Sequence, residues 1–491
     1  MKIVLCAIDA KYIHPNLALR LIRASCPYPC RLLEFTVKTD PDAIAEAILA
    51  EDPDVVGFSV YLWNVKAVKR IAAVLRGRSR ARLVAGGPEV AYDAERHLFE
   101  GTFDFIASGE GERTFAALCK ALADESPWRE IPGLAWRDST GIHVNPAVPI
   151  ANLRALPSPY RDPDDLPGLA HRIQYLEWSR GCPFACTYCV APLEGGVRRF
   201  PIERVEAEID FLLDRGARTF KFLDRSFNVR PAEASALFDF VIACHRPGVV
   251  FQFEIVGDLL KPDMIRRLNE DAPIGLIRFE IGVQSTNAAA NAAVARVQDN
   301  ARLFENVRAL VAGGRVVVHL DLIAGLPGED LASFRRTFDE TFSLFAPELQ
   351  LGFLKMLPGT PLRRDAGRLG YDYDPEPPYR IRKSPVLSAD DLARIERVER
   401  VLEHFWNRGY AQAALTTIHD AVPSMFSFME SFHDFLDDRD FSFLDHQLHD
   451  LYVQLDAFAS RTVPAVRDAV RAALVDAYLH RATVRPIRWW I

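Results

Sequence analysis

Cys182, Cys186 and Cys189 lie together in Ser179-Arg180-Gly181-Cys182-Pro183-Phe184-Ala185-Cys186-Thr187-Tyr188-Cys189, a Gly/Pro loop that follows an apolar run. Thiolates spaced by four and then three residues can fold around one small inorganic core. A cluster held by four cysteines is coordinatively closed and suits electron transfer. A [4Fe–4S] cluster held by three keeps one iron open for a substrate or cofactor. Structural zinc would want a fourth Cys or His at short spacing. Here His171 lies upstream of the strand and His245 is far along the chain. Inert buried cysteines would leave the spacing unexplained.

The other five cysteines, Cys6, Cys26, Cys30, Cys119 and Cys244, are scattered. No disulfide framework is expected in a chain of 491 residues with this pattern. Apolar residues make up 49% and charged residues 25%, which excludes a disordered, collagenous or coiled-coil chain. Lys and Arg number 59 against 66 Asp and Glu, a net charge of −7, so bulk charge gives no support for nucleic-acid binding. No stretch is apolar enough to span a bilayer. Asp9 and Lys11 follow the first apolar run at once, which reads as a buried strand and not as a signal peptide. The expected compartment is the cytoplasm.

Two alternating regions must position the cysteines. In the first, residues 1–125, apolar runs at Ile3–Ile8, Val55–Val60, Leu83–Ala85 and Phe103–Ala107 are separated by helical lengths such as Val65–Leu75 and Thr114–Leu122. Such βαβ units predict a doubly wound α/β domain with its ligand beyond the carboxyl ends of the strands. Residues 126–172 form a Pro-rich linker, with a small hairpin expected at Gly133–Val144. In the second region, residues 173–370, strands are expected at Ile173–Trp178, Thr219–Leu223, Phe251–Ile255, Ile277–Ile281, Val316–Ile323 and Leu349–Met356. Six β/α repeats suggest an open partial barrel, with chemistry at the carboxyl ends of its strands.

Residues 371–491 read as a mainly helical domain. His446 and His449 lie three apart on an expected helix, where a solvated polar face is a more economical reading than a metal pair. Met425, Phe426, Phe428, Met429, Phe432 and Phe435 are core residues or a lid over the barrel, and Trp489-Trp490-Ile491 packs on the barrel or faces a partner.

The Cys-x3-Cys-x2-Cys spacing, with Tyr188 before the last Cys, resembles the radical S-adenosylmethionine (SAM) superfamily. Later segments extend the likeness. Phe279-Glu280-Ile281-Gly282-Val283-Gln284-Ser285 matches that family's fourth-strand pattern, and Phe222-Leu223-Asp224-Arg225-Ser226-Phe227-Asn228 its second-strand segment. Leu326-Pro327-Gly328 and Leu357-Pro358-Gly359-Thr360-Pro361 resemble the turns after its fifth and sixth strands. The resemblance implies that the three cysteines hold a [4Fe–4S] cluster whose open iron takes SAM. It also implies that Tyr188, Asp224, Glu280, Gln284 and Ser285 position SAM.

The first region resembles cobalamin-binding domains. Ser59 ends a strand in Gly57-Phe58-Ser59-Val60-Tyr61-Leu62, and Gly86-Gly87 lie in Val84-Ala85-Gly86-Gly87-Pro88-Glu89. Glycines let a backbone approach a bulky ligand closely. The resemblance implies a cobalamin slot lined by Ser59, Tyr61, Gly86, Gly87, Gly109 and Glu110. The family's Asp-x-His-x-x-Gly is absent. Asp9-Ala10-Lys11-Tyr12-Ile13-His14-Pro15-Asn16 leaves His14 out of register for the lower cobalt ligand, as is typical of cobalamin-dependent radical SAM enzymes, and a backbone hydrogen bond is the expected role of His14. A dinucleotide site lacks its Gly-x-Gly-x-x-Gly. A methylthiotransferase lacks the three strand-end cysteines of a second cluster.

By this resemblance the chain is an enzyme that methylates an unactivated carbon or phosphorus. One SAM methylates cob(I)alamin, and a second is cleaved to the 5′-deoxyadenosyl radical that removes a substrate hydrogen before methyl transfer. Cobalamin-assisted cyclisation or rearrangement, or a non-catalytic cobalamin or redox sensor, are the alternatives. The expected partners are a substrate that the sequence does not identify and an electron donor such as a flavodoxin or ferredoxin system, with no nucleic acid and no membrane.

Overall fold

In the computed structural model, which describes residues 1–481, two α/β layers precede a helical segment. The first sheet contains β1 (Ile3–Asp9), β2 (Cys30–Thr36), β3 (Val55–Ser59), β4 (Arg82–Gly86) and β5 (Phe105–Ala107). Every residue of β1 is buried, as a strand covered by helices on both faces requires. The parallel order β2-β1-β3-β4-β5 places a topological switch point between β1 and β3. Ligands of such sheets sit in that crevice. The sequence pattern missed β2, because at the sheet edge Arg31 and Glu34 interrupt its apolar run and none of its residues is fully buried.

The hairpin expected at Gly133–Val144 forms β6 (Leu134–Asp138) and β7 (Gly141–Val144). It does not stand alone in a linker. β6 pairs antiparallel with β5, so the first sheet runs on past residue 125. Trp136 drives this: it is buried, its ring meets Trp128 edge-on at 5.3 Å and it stacks on His143 at 5.0 Å. The rest of the Pro-rich window is extended chain broken by 3-10 turns at Leu153–Ala155 and Pro163–His171, and it is tied down by ions. Arg20 donates to Glu34 at 2.8 Å and to Asp165 at 2.9 Å, while Arg172 reaches Glu34 at 2.7 Å.

The second sheet is the open six-stranded one expected. A two-residue antiparallel ladder, β9 (Ser179–Arg180) with β10 (Arg198–Arg199), leaves its first strand. Its strands are β8 (Ile173–Leu176), β11 (Thr219–Phe222), β12 (Val250–Ile255), β13 (Ile277–Gln284), β14 (Val317–Ala324) and β15 (Glu348–Phe353), paired in parallel and in sequence order. These strands alternate strictly, unlike β1. One face packs on helices through Phe220, Phe222, Phe251, Phe253 and Phe279, all fully buried. The other face curves around a polar lumen containing Lys221, Glu254, Glu280, His319 and Asp321.

Beyond β15 a small hairpin, β16 (Asp372–Tyr373) with β17 (Ile381–Lys383), leads into helices at Ala389–Val401, Gln412–His419, Met425–Asp437, Leu448–Thr462 and Arg467–Arg481. The Met425–Asp437 aromatics are core and not a lid. Phe426 meets Phe334 and Phe338 of the outer helix Leu331–Phe342 edge-on at 6.5 and 5.7 Å. His446 precedes the helix that contains His449, so the two do not share a helical face. His446 bonds the Ser442 carbonyl at 3.0 Å. Trp489, Trp490 and Ile491 lie outside the described residues.

Candidate active site

The cysteine loop begins where β9 and β10 cross. Gly181 has φ +87°, and a Cβ there would lie 2.6 Å from the Gly195 carbonyl oxygen, so the backbone of the return segment closes on a position only glycine fills. The loop is then pinned from two sides. The Thr187 N–H donates to the Val294 carbonyl at 3.0 Å, and the Leu362 N–H donates to the Thr187 carbonyl at 3.0 Å. Cys186 is buried, while Cys182 and Cys189 are half-buried. The Cys182 Sγ is 3.8 Å from the Ser226 hydroxyl, and the Cys189 Sγ accepts the Ala191 N–H at 3.4 Å. Burial raises the Cys189 thiol, and the nearby Cys186 and Cys182 thiols add to the effect.

Among the described residues no three Cys, His, Asp or Glu side chains converge on a site for a single ion. A cuboidal iron–sulfur cluster gives each cysteine its own iron, so three neighbouring thiols in a half-buried loop suit it without such convergence. The donor set therefore fits the cluster.

The four residues expected at the strand tips have different surroundings. Asp224 is 1% exposed and accepts the Trp178 N–H at 2.9 Å and the Ser179 hydroxyl. Both its oxygens hold the turn into the cysteine loop, so its contact is with the loop's base and not with open space. Burial pushes its carboxyl up to about 7 despite those bonds. Ser285 is fully buried, donates to Glu329 at 2.6 Å and accepts the Asn287 N–H at 2.9 Å. It too supports a turn. Glu280 faces the lumen between Lys221 at 2.9 Å and Gln252 at 2.8 Å. Gln284 ends β13 at a register shift with φ +64°, and its buried Oε1 has no hydrogen-bond partner. An amide oxygen held that way is ready for a ligand donor.

Tyr188 takes an N–H from Arg296 at 3.5 Å, and Arg296 also donates to the Gly282 carbonyl. One guanidinium thus ties the cysteine loop to the β13 bulge.

In the first sheet, Ser59 and the glycine pair meet at the ends of β3 and β4. The Asn16 amide donates to the Ser59 hydroxyl at 2.8 Å, which leaves that O–H available as a donor. Gly87 has φ +104°, and a Cβ there would lie 2.5 Å from the Val60 carbonyl oxygen. Asp9, at the end of β1, is 6% exposed with an unpartnered Oδ2, and burial raises its carboxyl to about 7. Gly87 is thus required by the close approach of the Val60 backbone, while the orphaned Asp9 oxygen at the end of β1, beside the switch point, fits a ligand that brings a hydrogen-bond donor. Tyr61 stacks on Trp63 at 4.4 Å, and burial pushes its phenol to about 12.

Gly109 and Glu110 belong elsewhere. A Cβ on Gly109 would meet Ala147 at 2.9 Å, so this glycine answers to the Pro-rich crossover. Glu110 is consumed by Arg198 at 2.8 Å and Arg180 at 3.2 Å. His14 bonds the Tyr175 hydroxyl at 2.7 Å, a side-chain partner on β8 and not the expected backbone one.

Arg225 lies within Phe222–Asn228, yet no local pattern marks it as functional. Glu254 lies 3.9 Å from Arg225, whose side chain keeps 46% of its surface accessible. Glu194, Cys189 and Tyr61 act on the same guanidinium. These residues come from the lumen, the cysteine loop and the first sheet, so the Arg225 guanidinium is subject to charges from all three. Cys26, Cys30 and Cys119 were read as scattered. The structure places the three thiols near one another at the amino end of β2.

Residues 3–119 match the B12 binding domain family, residues 176–341 the Radical SAM superfamily, and residues 368–491 a family described as a protein of unknown function, DUF4080. The chain is a radical SAM protein with a B12-binding domain. Its radical SAM domain contains all three clustered cysteines, and its B12-binding domain contains Ser59 and the glycine pair. The cofactors that these domains take are a [4Fe–4S] cluster, SAM and cobalamin.

Two curated relatives are similar to this radical SAM protein. One is the 2-(S-pantetheinyl)-carbapenam-3-carboxylate methyltransferase of Streptantibioticus cattleyicolor, 26% identical over 365 residues, covering 71% of this chain and 53% of that protein. The other is the cobalamin-dependent radical SAM methyltransferase TokK of Streptomyces tokunonensis, 26% identical, covering 63% of this chain and 48% of that one. The chain thus spans about half the length of the curated relatives it matches. The cobalamin-dependent SAM radical enzyme OxsB, solved with aqua-cobalamin and SAM bound, shares the fold with a TM-score of 0.67 at 16% identity, over 99% of this chain and 81% of its own. Among the described residues no helix is long and apolar enough to cross a membrane.

Proposed function

We propose that this chain is a cobalamin-dependent radical SAM methyltransferase acting on an unactivated carbon or phosphorus of a small polar substrate. The observation that carries the reading is Arg225, whose guanidinium lies 3.9 Å from Glu254 of the lumen and feels the charge of both Cys189 of the cysteine loop and Tyr61 of the B12-binding domain. The two cofactor sites are therefore read as neighbours, with Arg180 joining the two domains at Glu112.

When bound, the cluster, SAM and cobalamin would supply one-electron cleavage chemistry and the transferable methyl group. The chain's own residues bind, orient and exclude water. Cys182, Cys186 and Cys189 would hold the cluster. Tyr188, Glu280 and the free amide oxygen of Gln284 would contact SAM, with Asp224 and Ser285 fixing the turns on which those contacts depend. Ser59, Tyr61, Gly86 and Gly87 would hold cobalamin. The polar lumen, with Lys221, Glu254, His319 and Asp321, suits a hydrogen-bonding substrate and not a hydrocarbon. A flavodoxin or ferredoxin system in the cytoplasm would supply the electron.

The test is anaerobic reconstitution with iron, sulfide and hydroxocobalamin, followed by turnover with methyl-labelled SAM. S-adenosylhomocysteine together with 5′-deoxyadenosine supports methyl transfer. Deoxyadenosine alone points to cyclisation or rearrangement. No SAM cleavage by the reduced, cluster-loaded protein would overturn the enzyme reading.

A further inference from the structure

The DUF4080 segment begins with a contact onto the B12-binding domain that no assigned role explains. Tyr379, just before β17, is fully buried at φ +60°, a conformation rare for a bulky residue. Its position is over-determined. Its carbonyl accepts the Met356 N–H at 2.9 Å, and the Arg363 guanidinium lies 4.6 Å from its ring. Its hydroxyl donates to the carboxylate of Glu89. Glu89 is 3% exposed and stands two residues after Gly87.

A second contact acts on the same loop. Gly359, at φ +81°, follows β15, and a Cβ there would lie 2.7 Å from the Cβ of Tyr92. The loop from Gly87 to Tyr92 is therefore held between the end of β15 and the DUF4080 hairpin on one side. On the other, the Val60 N–H donates to the Gly86 carbonyl at 2.7 Å. The loop's shape depends on a domain that lies about 280 residues further along the chain.

We infer that the DUF4080 segment is a strap that sets the glycine-pair loop for cobalamin, with Tyr379 as its positioning residue acting through Glu89. This rests on the reading of Gly86 and Gly87 as the cobalamin slot. Strained backbone persists where surrounding structure imposes it, commonly at ligand clamps. Here the strained residue is the one that reaches the loop. Removing the Tyr379 hydroxyl leaves a buried carboxylate without its donor and lets the loop relax.

The experiment titrates hydroxocobalamin into the full-length, cluster-loaded chain and follows absorbance. Tyr379→Phe keeps the ring and is expected to weaken cobalamin binding about tenfold. Iron content and the reduced-cluster spectrum should be unchanged. Glu89→Ala should weaken binding similarly, Glu89→Gln should restore most of it because an amide oxygen still accepts, and the Glu89→Ala, Tyr379→Phe double variant should be no worse than either single one. Wild-type affinity in Tyr379→Phe would overturn the strap. Parallel loss of cluster and cobalamin would overturn it too, as a general folding defect. Failure of the unsubstituted chain to bind cobalamin sinks the slot itself, and the strap with it.

Discussion

Arg180, which leads into the cysteine loop, donates to Glu112 of the B12-binding domain at 2.7 Å, with 9% and 6% of the two side chains exposed. The same guanidinium also reaches Glu177 at 2.8 Å and Glu110 at 3.2 Å. One buried cation therefore joins the two domains at the base of the cysteine loop.

Breaking that join should be costly. Arg180→Met leaves three carboxylates facing a buried gap, and loss of one partner from such a site costs about 3 kcal/mol. Chemical denaturation of the full chain should show a midpoint shifted by that amount. A midpoint within error of the unsubstituted chain would contradict the join.

The lumen predicts a pH dependence. Burial opposes a charged His319, but Asp321 at 3.2 Å and Glu348 at 3.3 Å outweigh it and raise His319 from 6.5 to about 10. The folded chain keeps this proton where the unfolded chain has lost it. The stabilisation is complete below about pH 6.5 and fades as pH climbs toward 10. His319→Gln should lower stability by about 2 kcal/mol at pH 7 and flatten the decline between pH 7 and 10. Urea midpoints across that range measure both, and curves that run parallel would refute the pairing.

Gly181→Ala tests the loop. Its added methyl would sit 2.6 Å from the Gly195 carbonyl oxygen in a left-handed conformation. The loop must shift and carry Cys182 with it. Iron and sulfide per chain after reconstitution should fall by at least about half, while cobalamin binding stays intact; strain of this kind costs about 1–3 kcal/mol. Full iron loading would show the loop tolerates the shift.

Six of the eight cysteines should divide cleanly. Cys182→Ala, Cys186→Ala or Cys189→Ala should each abolish reductive SAM cleavage and the cluster spectrum. Cys26→Ser, Cys30→Ser and Cys119→Ser should leave both in place, because that group lies at the amino end of β2. Loss of the cluster in any of the latter three would reassign it.

Local chemistry made much of this molecule legible in advance. Six strands of the second sheet were readable because a face on helices and a face on a polar lumen impose period-two alternation. The cysteine spacing was readable because all three thiols lie within eight consecutive residues. β2 was not, since an edge strand needs no continuous apolar face.

What sequence alone determined were those contiguous features: the cysteine loop, the glycine pair and the alternating strands. Tertiary structure decided which polar residues remain available. Asp224 and Glu110 looked like ligand contacts until folding supplied each with partners distant in sequence, Trp178 for one and Arg198 for the other. It also set Arg180 against Glu112, and Tyr379 against Glu89. A buried polar group is defined by what satisfies it, and its partners here come from separate domains, so no local pattern along the chain could reveal them.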